Sequence, residues 1–250
     1  MSRTILQIAG ADAESFLQGL VSNDVSRLGD GLLYAALLTP QGKYVADFLL
    51  FRRDGAIMLD VAAPLTEALV RKLSMYRLRA DVTISETDLK LFRGTTAPPP
   101  AGAMADPRHP ALGWRLYGAQ EGDDGSDFEA IRVAHCIPET GIELTPETYI
   151  LEAGFERLGG VDFRKGCYVG QEVTARMHHK TTLRKGLETV EIEGAAPVGT
   201  PIIAQGRTAG TLLSQAAGKA IAYLRFERAA PEMQAAGARL RRCGAGEASV

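Results

Sequence analysis

Lys165-Gly166-Cys167-Tyr168-Val169-Gly170-Gln171-Glu172 is the stretch of this 250-residue chain on which the reading of its fold turns. A cation, a thiol, two glycines, a phenol, an amide and a carboxylate stand within eight residues. Such a density of small and polar groups suits neither a strand nor a helix interior. The glycines permit positive φ and close backbone approach, so the segment reads as a tight exposed loop. Glu172-Val173-Thr174-Ala175-Arg176-Met177 then begins a short helix. Cys167 thus precedes a helix N-terminus, with Lys165 two positions away, and both features favour thiolate over thiol. The plainer alternative is a glycine turn that happens to carry a small apolar residue.

On the N-terminal side, Thr4–Ala9 reads as a strand, followed by a helix capped by Asp12 with Ala13, Phe16, Leu17 and Leu20 on one face. Leu32–Leu38 and Tyr44–Phe51 are β-prone runs joined by Pro40-Gln41-Gly42-Lys43, hence a hairpin, and Ala56–Ala62 extends the sheet. Leu65, Ala68, Leu69, Leu73 and Tyr76 recur at helical spacing after Pro64, which predicts an amphipathic helix over a sheet. Ala80–Ser85 and Leu89–Arg93 follow as strands. Thr95–Pro110, rich in Pro, Ala and Gly, reads as a surface connection. Gly113–Tyr117 is a strand, Glu121–Gly125 an acidic turn, and Ser126-Asp127-Phe128-Glu129 a capping box opening a helix that ends near Cys136, itself read as core filling.

Beyond Leu183 the texture changes. Val190–Glu193, Pro201–Ala204, Gly210–Ser214 and Ala220–Phe226 are short strands between Gly- and Pro-bearing turns, the cadence of a small β-barrel. Strands in succession with single covering helices predict an antiparallel α+β fold. The expected domains are an α+β lobe over 1–94, a second over 95–182 that carries the central motif, a barrel over 183–243 and a frayed tail at 244–250.

The chain is 46% hydrophobic, enough to fill a core, and its net charge of −2 argues against a nucleic-acid binder that relies on bulk positive charge. Cys136, Cys167 and Cys243 are odd in number and widely spaced, which fits neither a disulfide scaffold nor a self-contained metal site. The N-terminus has no long apolar or Arg/Ser-rich leader character, and no apolar run approaches the roughly 20 residues that span a bilayer. A reducing, cytoplasmic setting is the expectation, without nucleic acid or membrane as a partner.

Asp162-Phe163-Arg164-Lys165-Gly166-Cys167-Tyr168-Val169-Gly170-Gln171-Glu172 with Ala175-Arg176 resembles the signature of the YgfZ-type folate-binding proteins. These are relatives of the T-protein (aminomethyltransferase) of the glycine cleavage system that act in iron–sulfur cluster assembly and repair. Phe16–Val25 and Leu38–Lys43 with Asp47 resemble the family's N-terminal helix and hairpin. The resemblance implies two interlocked α+β lobes and a β-barrel, ring-like around a channel that holds tetrahydrofolate or a derivative. It implies a site built from Cys167, Lys165, Tyr168, Gln171 and Glu172, with an A-type iron–sulfur carrier and iron–sulfur client enzymes as partners, radical enzymes that modify tRNA among them.

A pterin presents an edge of N–H donors that a carboxylate matches, and Glu152, on the apolar run Ile150-Leu151-Glu152-Ala153, resembles the family's pterin-binding acid. Its alternative is the exposed face of a short helix. Asn23 and Asp24 either cap the chain leaving the first helix or reach the ligand, with the ligand favoured; Asp47 is a further candidate, and Arg176, Lys180 or Arg184 either meet folate's anionic tail or form a solvated face. T-proteins carry adjacent acids where this chain reads Val45-Ala46-Asp47-Phe48, which speaks against aminomethyl transfer and leaves binding intact. His178 and His179 diverge as neighbours on one element and make a poor metal pair. One thiol cannot hold a cluster alone, so Cys167 either shares a transient cluster with a partner or acts as a nucleophile or redox group. The alternatives are a folate-dependent aminomethyl- or methyltransferase, and a non-enzymatic scaffold.

Overall fold

In the computed structural model the chain begins with β1 (Arg3–Ala9), α1 (Ala13–Gln18), β2 (Leu33–Leu38), β3 (Tyr44–Arg53), β4 (Ala56–Ala62), α2 (Thr66–Arg77) and β5 (Thr83–Glu86). β6 (Lys90–Gly94), β7 (Met104–Ala105), β8 (Trp114–Gly118), β9 (Gly122–Asp123), α3 (Phe128–Ala134) and α4 (Gln171–Lys180) follow. The last strands are β10 (Lys185–Glu193), β11 (Pro201–Ala204), β12 (Arg207–Ala216), β13 (Lys219–Arg225), β14 (Glu232–Ala235) and β15 (Ala238–Arg242). The structure describes residues 2–29, 31–180 and 182–243; the expected frayed tail at 244–250 lies outside them, as does the side chain of Lys180. Two compact units divide the chain: Met1–Ser126 with Phe155–Arg176, and Asp127–Gly154 with Met177–Val250.

In the first unit an antiparallel sheet runs β2-β3-β4-β1-β5. Side chains alternate across a strand. Leu6 and Ile8 of β1 and Ile57, Leu59 and Val61 of β4 share a core with Leu17 of α1 and with Leu69 and Leu73 of α2. Ile5, Phe51 and Met58 form a separate cluster with Tyr117 of β8, whose ring stacks on Phe51 at 4.2 Å. The sheet is therefore covered on both faces, and every residue of β4 is buried. A second sheet, β7-β8-β6-β9, supplies that cover.

The second unit closes a barrel in the order β10-β13-β12-β11-β14-β15, with α3 against it through Thr189, whose hydroxyl donates to the Val133 carbonyl at 2.8 Å. The α+β fold with a C-terminal barrel is as expected, although the β14–β15 hairpin escaped the sequence reading because Glu232–Ala235 and Ala238–Arg242 carry few β-branched residues.

Other local expectations are corrected. Asp12 precedes α1 without capping it; its carboxylate accepts the Asp81 N–H at 2.8 Å. The cap of α3 is Asp127, which accepts the Ala130 N–H at 2.9 Å, in place of the Ser126 capping box. Cys136 is half-buried. The stretch read as a surface connection holds β7 and the buried Asp106.

Candidate functional site

The central motif folds as an exposed loop leading into α4, and Cys167 is exposed on it. Lys165, expected to sit beside the thiol as its cation, is buried instead. Its ammonium donates to the carbonyls of Gln18 (2.8 Å), Val21 (2.6 Å) and Asn23 (2.9 Å), where the chain leaves α1. Carbonyls past the end of a helix lack intrahelical partners, and a lysine with three donors satisfies such a set. The Tyr168 ring lies 5.1 Å from the same nitrogen. Burial pulls the Lys165 pKa down to about 8, with Asp24 and Asp162 acting in the opposite sense.

The far end of the loop is held by backbone contact. A side chain at Gly170 (φ +84°) would meet the Thr39 carbonyl, and one at Gly42 (φ +75°) would meet Val173, so two glycines let the β2–β3 turn lie against the start of α4. Tyr168 is buried and its hydroxyl pKa is pushed up by burial to about 12. Gln171 opens α4, half-buried, and Glu172 and Arg176 are exposed along it. Upstream, Asp162 accepts from the Arg27 guanidinium (2.8 Å) and the Arg164 N–H (2.7 Å). Burial would raise this carboxyl; those donors hold it below the usual range. A cleft of about 550 Å³ opens there, lined by Asn23, Arg27, Leu33, Phe163 and Arg164 among others.

Asn23, Asp24 and Asp47, expected as ligand contacts, are built into the fold. The Asn23 amide donates to the carbonyls of Tyr34 and Gly159 (both 2.7 Å) while its oxygen accepts the Asp24 N–H. Asp24 caps the 3-10 turn Val25–Arg27, and its hydrogen bond with the Ser26 hydroxyl leads the lowering of its pKa. Asp47 is buried and accepts from the hydroxyls of Tyr44 (2.7 Å) and Tyr34 (3.0 Å); Ala46 beside it belongs to the core. Asn and Asp at chain turns satisfy local backbone donors, the competing role for these residue types.

The sequence reading missed a buried chain of charges behind Tyr34. Asp60 accepts from Arg3 (2.6 Å), Arg115 (2.8 Å) and the Tyr117 hydroxyl (2.7 Å). Arg115 also bonds Asp106 at 2.8 Å, Asp106 is gripped by Arg108, and the Arg108 guanidinium lies 5.5 Å above the Tyr34 ring. Burial raises both aspartates, but the guanidiniums outweigh it and hold each below the ordinary range. The signal was available: Asp60 stands in the apolar run Ala56–Ala62, the same cue that singled out Glu152.

In the second unit Glu152 is buried. Its carboxylate accepts from the Tyr223 hydroxyl (2.6 Å) and lies 3.7 Å from the Lys185 ammonium. Burial and this carboxylate together push the Tyr223 pKa well up. Glu152 stands in a run of turns rather than on the helix face weighed as its alternative, and its carbonyl accepts the Leu187 N–H at 2.8 Å. Arg184 is exposed. His178 and His179 do meet, Nδ1 to Nδ1 at 3.3 Å, but among the described residues no three His, Cys, Asp or Glu converge for a metal.

The fold defines a class first. The chain superposes on the glycine cleavage system aminomethyltransferase T of Bartonella henselae with a TM-score of 0.76, covering 97% of this chain and 83% of that one; at 13% identity this likeness is one of fold. Residues 184–243 match the CAF17 C-terminal beta-barrel domain. The iron–sulfur cluster assembly factor IBA57 of Homo sapiens is 31% identical over 257 residues, covering 83% of this chain and 71% of the human protein. The chain belongs to this family of iron–sulfur cluster assembly factors, of which the YgfZ type named by the motif is a close relative. The Mus musculus IBA57 is 29% identical, with 90% of this chain and 76% of the relative covered. The Mycosarcoma maydis homologue is 32% identical over 73% of this chain, which spans only 54% of that relative's length. All three relatives are mitochondrial, which overturns the cytoplasmic expectation.

Proposed function

We propose that the chain serves iron–sulfur cluster assembly by presenting Cys167 as one ligand of a cluster that an A-type carrier protein completes. The observation that carries this reading is an exposed thiol on a loop fixed by buried contacts at both ends. Thiolate is the ligand cluster iron prefers, and a cluster needs about four of them, so a single cysteine works only beside a partner's. On ligation the thiol releases its proton to water and the sulfur electron pair takes iron, with no change in oxidation state. The proposed clients are iron–sulfur enzymes, tRNA-modifying radical enzymes among them.

The test is anaerobic mixing with a cluster-loaded A-type carrier, followed by visible absorption and size exclusion. The native protein should co-elute with the carrier and alter the cluster spectrum; Cys167→Ala should do neither. A Cys167→Ala protein that behaves as the native one sinks the proposal.

Tetrahydrofolate or a derivative is proposed as ligand on a narrower footing. Glu152 would hold the pterin edge, since a carboxylate offers about four lone-pair sites and Tyr223 and Lys185 leave some open. A reduced folate supplies one-carbon chemistry when bound, but Ala46 stands in the core where the transfer acid of T-proteins belongs, so the proposed role is binding. Calorimetric titration with 5-formyl-tetrahydrofolate should give heat that Glu152→Gln abolishes; no heat with the native protein favours a scaffold.

A further inference from the structure

The C-terminal end of α2 presents apolar side chains to water in a setting of positive charge. Leu78 and Met75 are the two most exposed large hydrophobic residues of those described, at 88% and 67%. Arg71, Lys72, Arg77 and Arg79 surround them in sequence, against Glu67, which pairs with Arg71, and Asp81, whose N–H bonds the Asp12 carboxylate. Over residues 66–81 four cations face two acids, a positive segment on a chain whose net charge is −2. Leu78 also holds φ +47°, a conformation that glycine adopts freely and a branched side chain does not. A strained leucine aimed into solvent is a poor choice for folding alone.

We infer that this end of α2 is a contact surface for an anionic lipid headgroup layer. Two protruding apolar side chains are far short of the roughly 800 Å² per partner that a stable protein interface buries. They suffice for insertion at a headgroup boundary, where cations within a Debye length of about 8–10 Å add attraction to anionic lipid. No helix of the described residues is long and apolar enough to cross a membrane, and a contact of this kind requires none. The binding is weak and reversible.

The experiment is co-sedimentation of the full chain with vesicles of phosphatidylcholine alone and of equal parts phosphatidylcholine and phosphatidylglycerol. Binding is expected only to the second, fading as salt rises from about 50 to 500 mM. The double substitution Met75→Ser with Leu78→Gly should reduce it roughly thirty-fold, the effect of losing about one fully buried leucine's worth of apolar contact. Circular dichroism confirms that the double variant is folded, and Leu78→Gly alone, which relieves the positive φ, serves where it is not. No pelleting with anionic vesicles overturns the inference, as does equal pelleting of native and variant proteins. Failure of the variant to engage a purified A-type carrier, without any vesicle binding by the native chain, assigns the patch to a protein and also overturns it.

Discussion

Arg115 and Lys165 each bring a full positive charge into the interior of the first unit, the one between two carboxylates, the other among backbone carbonyls. Arg115 bonds Asp60 and Asp106, and those aspartates push its pKa up against the cost of burial. Lys165 has only neutral dipoles in contact, and burial brings it down to about 8. Paired opposite charges make a fixed strut between the two sheets. A caged ammonium makes a clasp between a loop and a helix end, held chiefly by hydrogen bonds to carbonyls, with Asp24 and Asp162 adding a weaker attraction from further off. The strut lies behind Tyr34 and belongs to folding. The clasp sits two residues from the exposed thiol and belongs to the site.

The sharpest way to break this contrast is Arg115→Met, which leaves Asp60 and Asp106 buried with one fewer partner each. Removing one side of a buried ion pair costs about 3–5 kcal/mol. Urea unfolding should show a loss of that size, and a loss below about 1 kcal/mol would mean that the strut carries no weight.

Acid separates the two devices next. Asp60 and Asp106 have folded pKa values below the ordinary 3.8, so the stability they contribute is present above that value and is lost as pH falls through it. The native protein should lose up to about 1.4 kcal/mol per pH unit for each carboxyl between pH 3.8 and that carboxyl's lower folded pKa. The Arg115→Met protein should show a flatter fall. A Lys165→Met protein should stay close to the native slope, because the clasp's acceptors are carbonyls that do not titrate in this range and Lys165 is the smallest of the causes that lower the Asp24 carboxyl.

How much of this was legible beforehand depends on whether a residue's neighbours are close in sequence. Alternation and helical spacing gave β1–β4 and α2, since Leu69 and Leu73 face one core by periodicity alone. The exposed Cys167 followed from its glycine neighbours. Lys165 was placed wrongly because proximity along the chain suggested the thiol as its partner, whereas its acceptors stand more than 140 residues earlier. Asn23 and Asp24 stayed open between two readings for a related reason: both residue types suit a ligand contact and a turn cap equally, and only the register of the surrounding backbone decides for the cap. Asp106 was hidden in a stretch whose prolines and glycines read as surface, because nothing local announces that Arg115 will reach it.

Lys165→Met has the smallest global effect and the most local one. It takes the donor from three buried carbonyls, each such bond being worth about 1 kcal/mol net, and it also removes the cost of burying a charge, so the two changes partly offset. A drop of about 1–2 kcal/mol in unfolding free energy is expected. The local consequence should exceed it: hydrogen exchange at the amides of Asp162, Arg164 and Gln171, which bond Ser22, Asp162 and Tyr168, should quicken about tenfold more than at Leu6 or Leu59 in the sheet. Uniform quickening across the unit would make Lys165 an ordinary core residue and remove the distinction from Arg115. Selective quickening of the loop, with the sheet unmoved, identifies the ammonium as what keeps the backbone around Cys167 in one conformation.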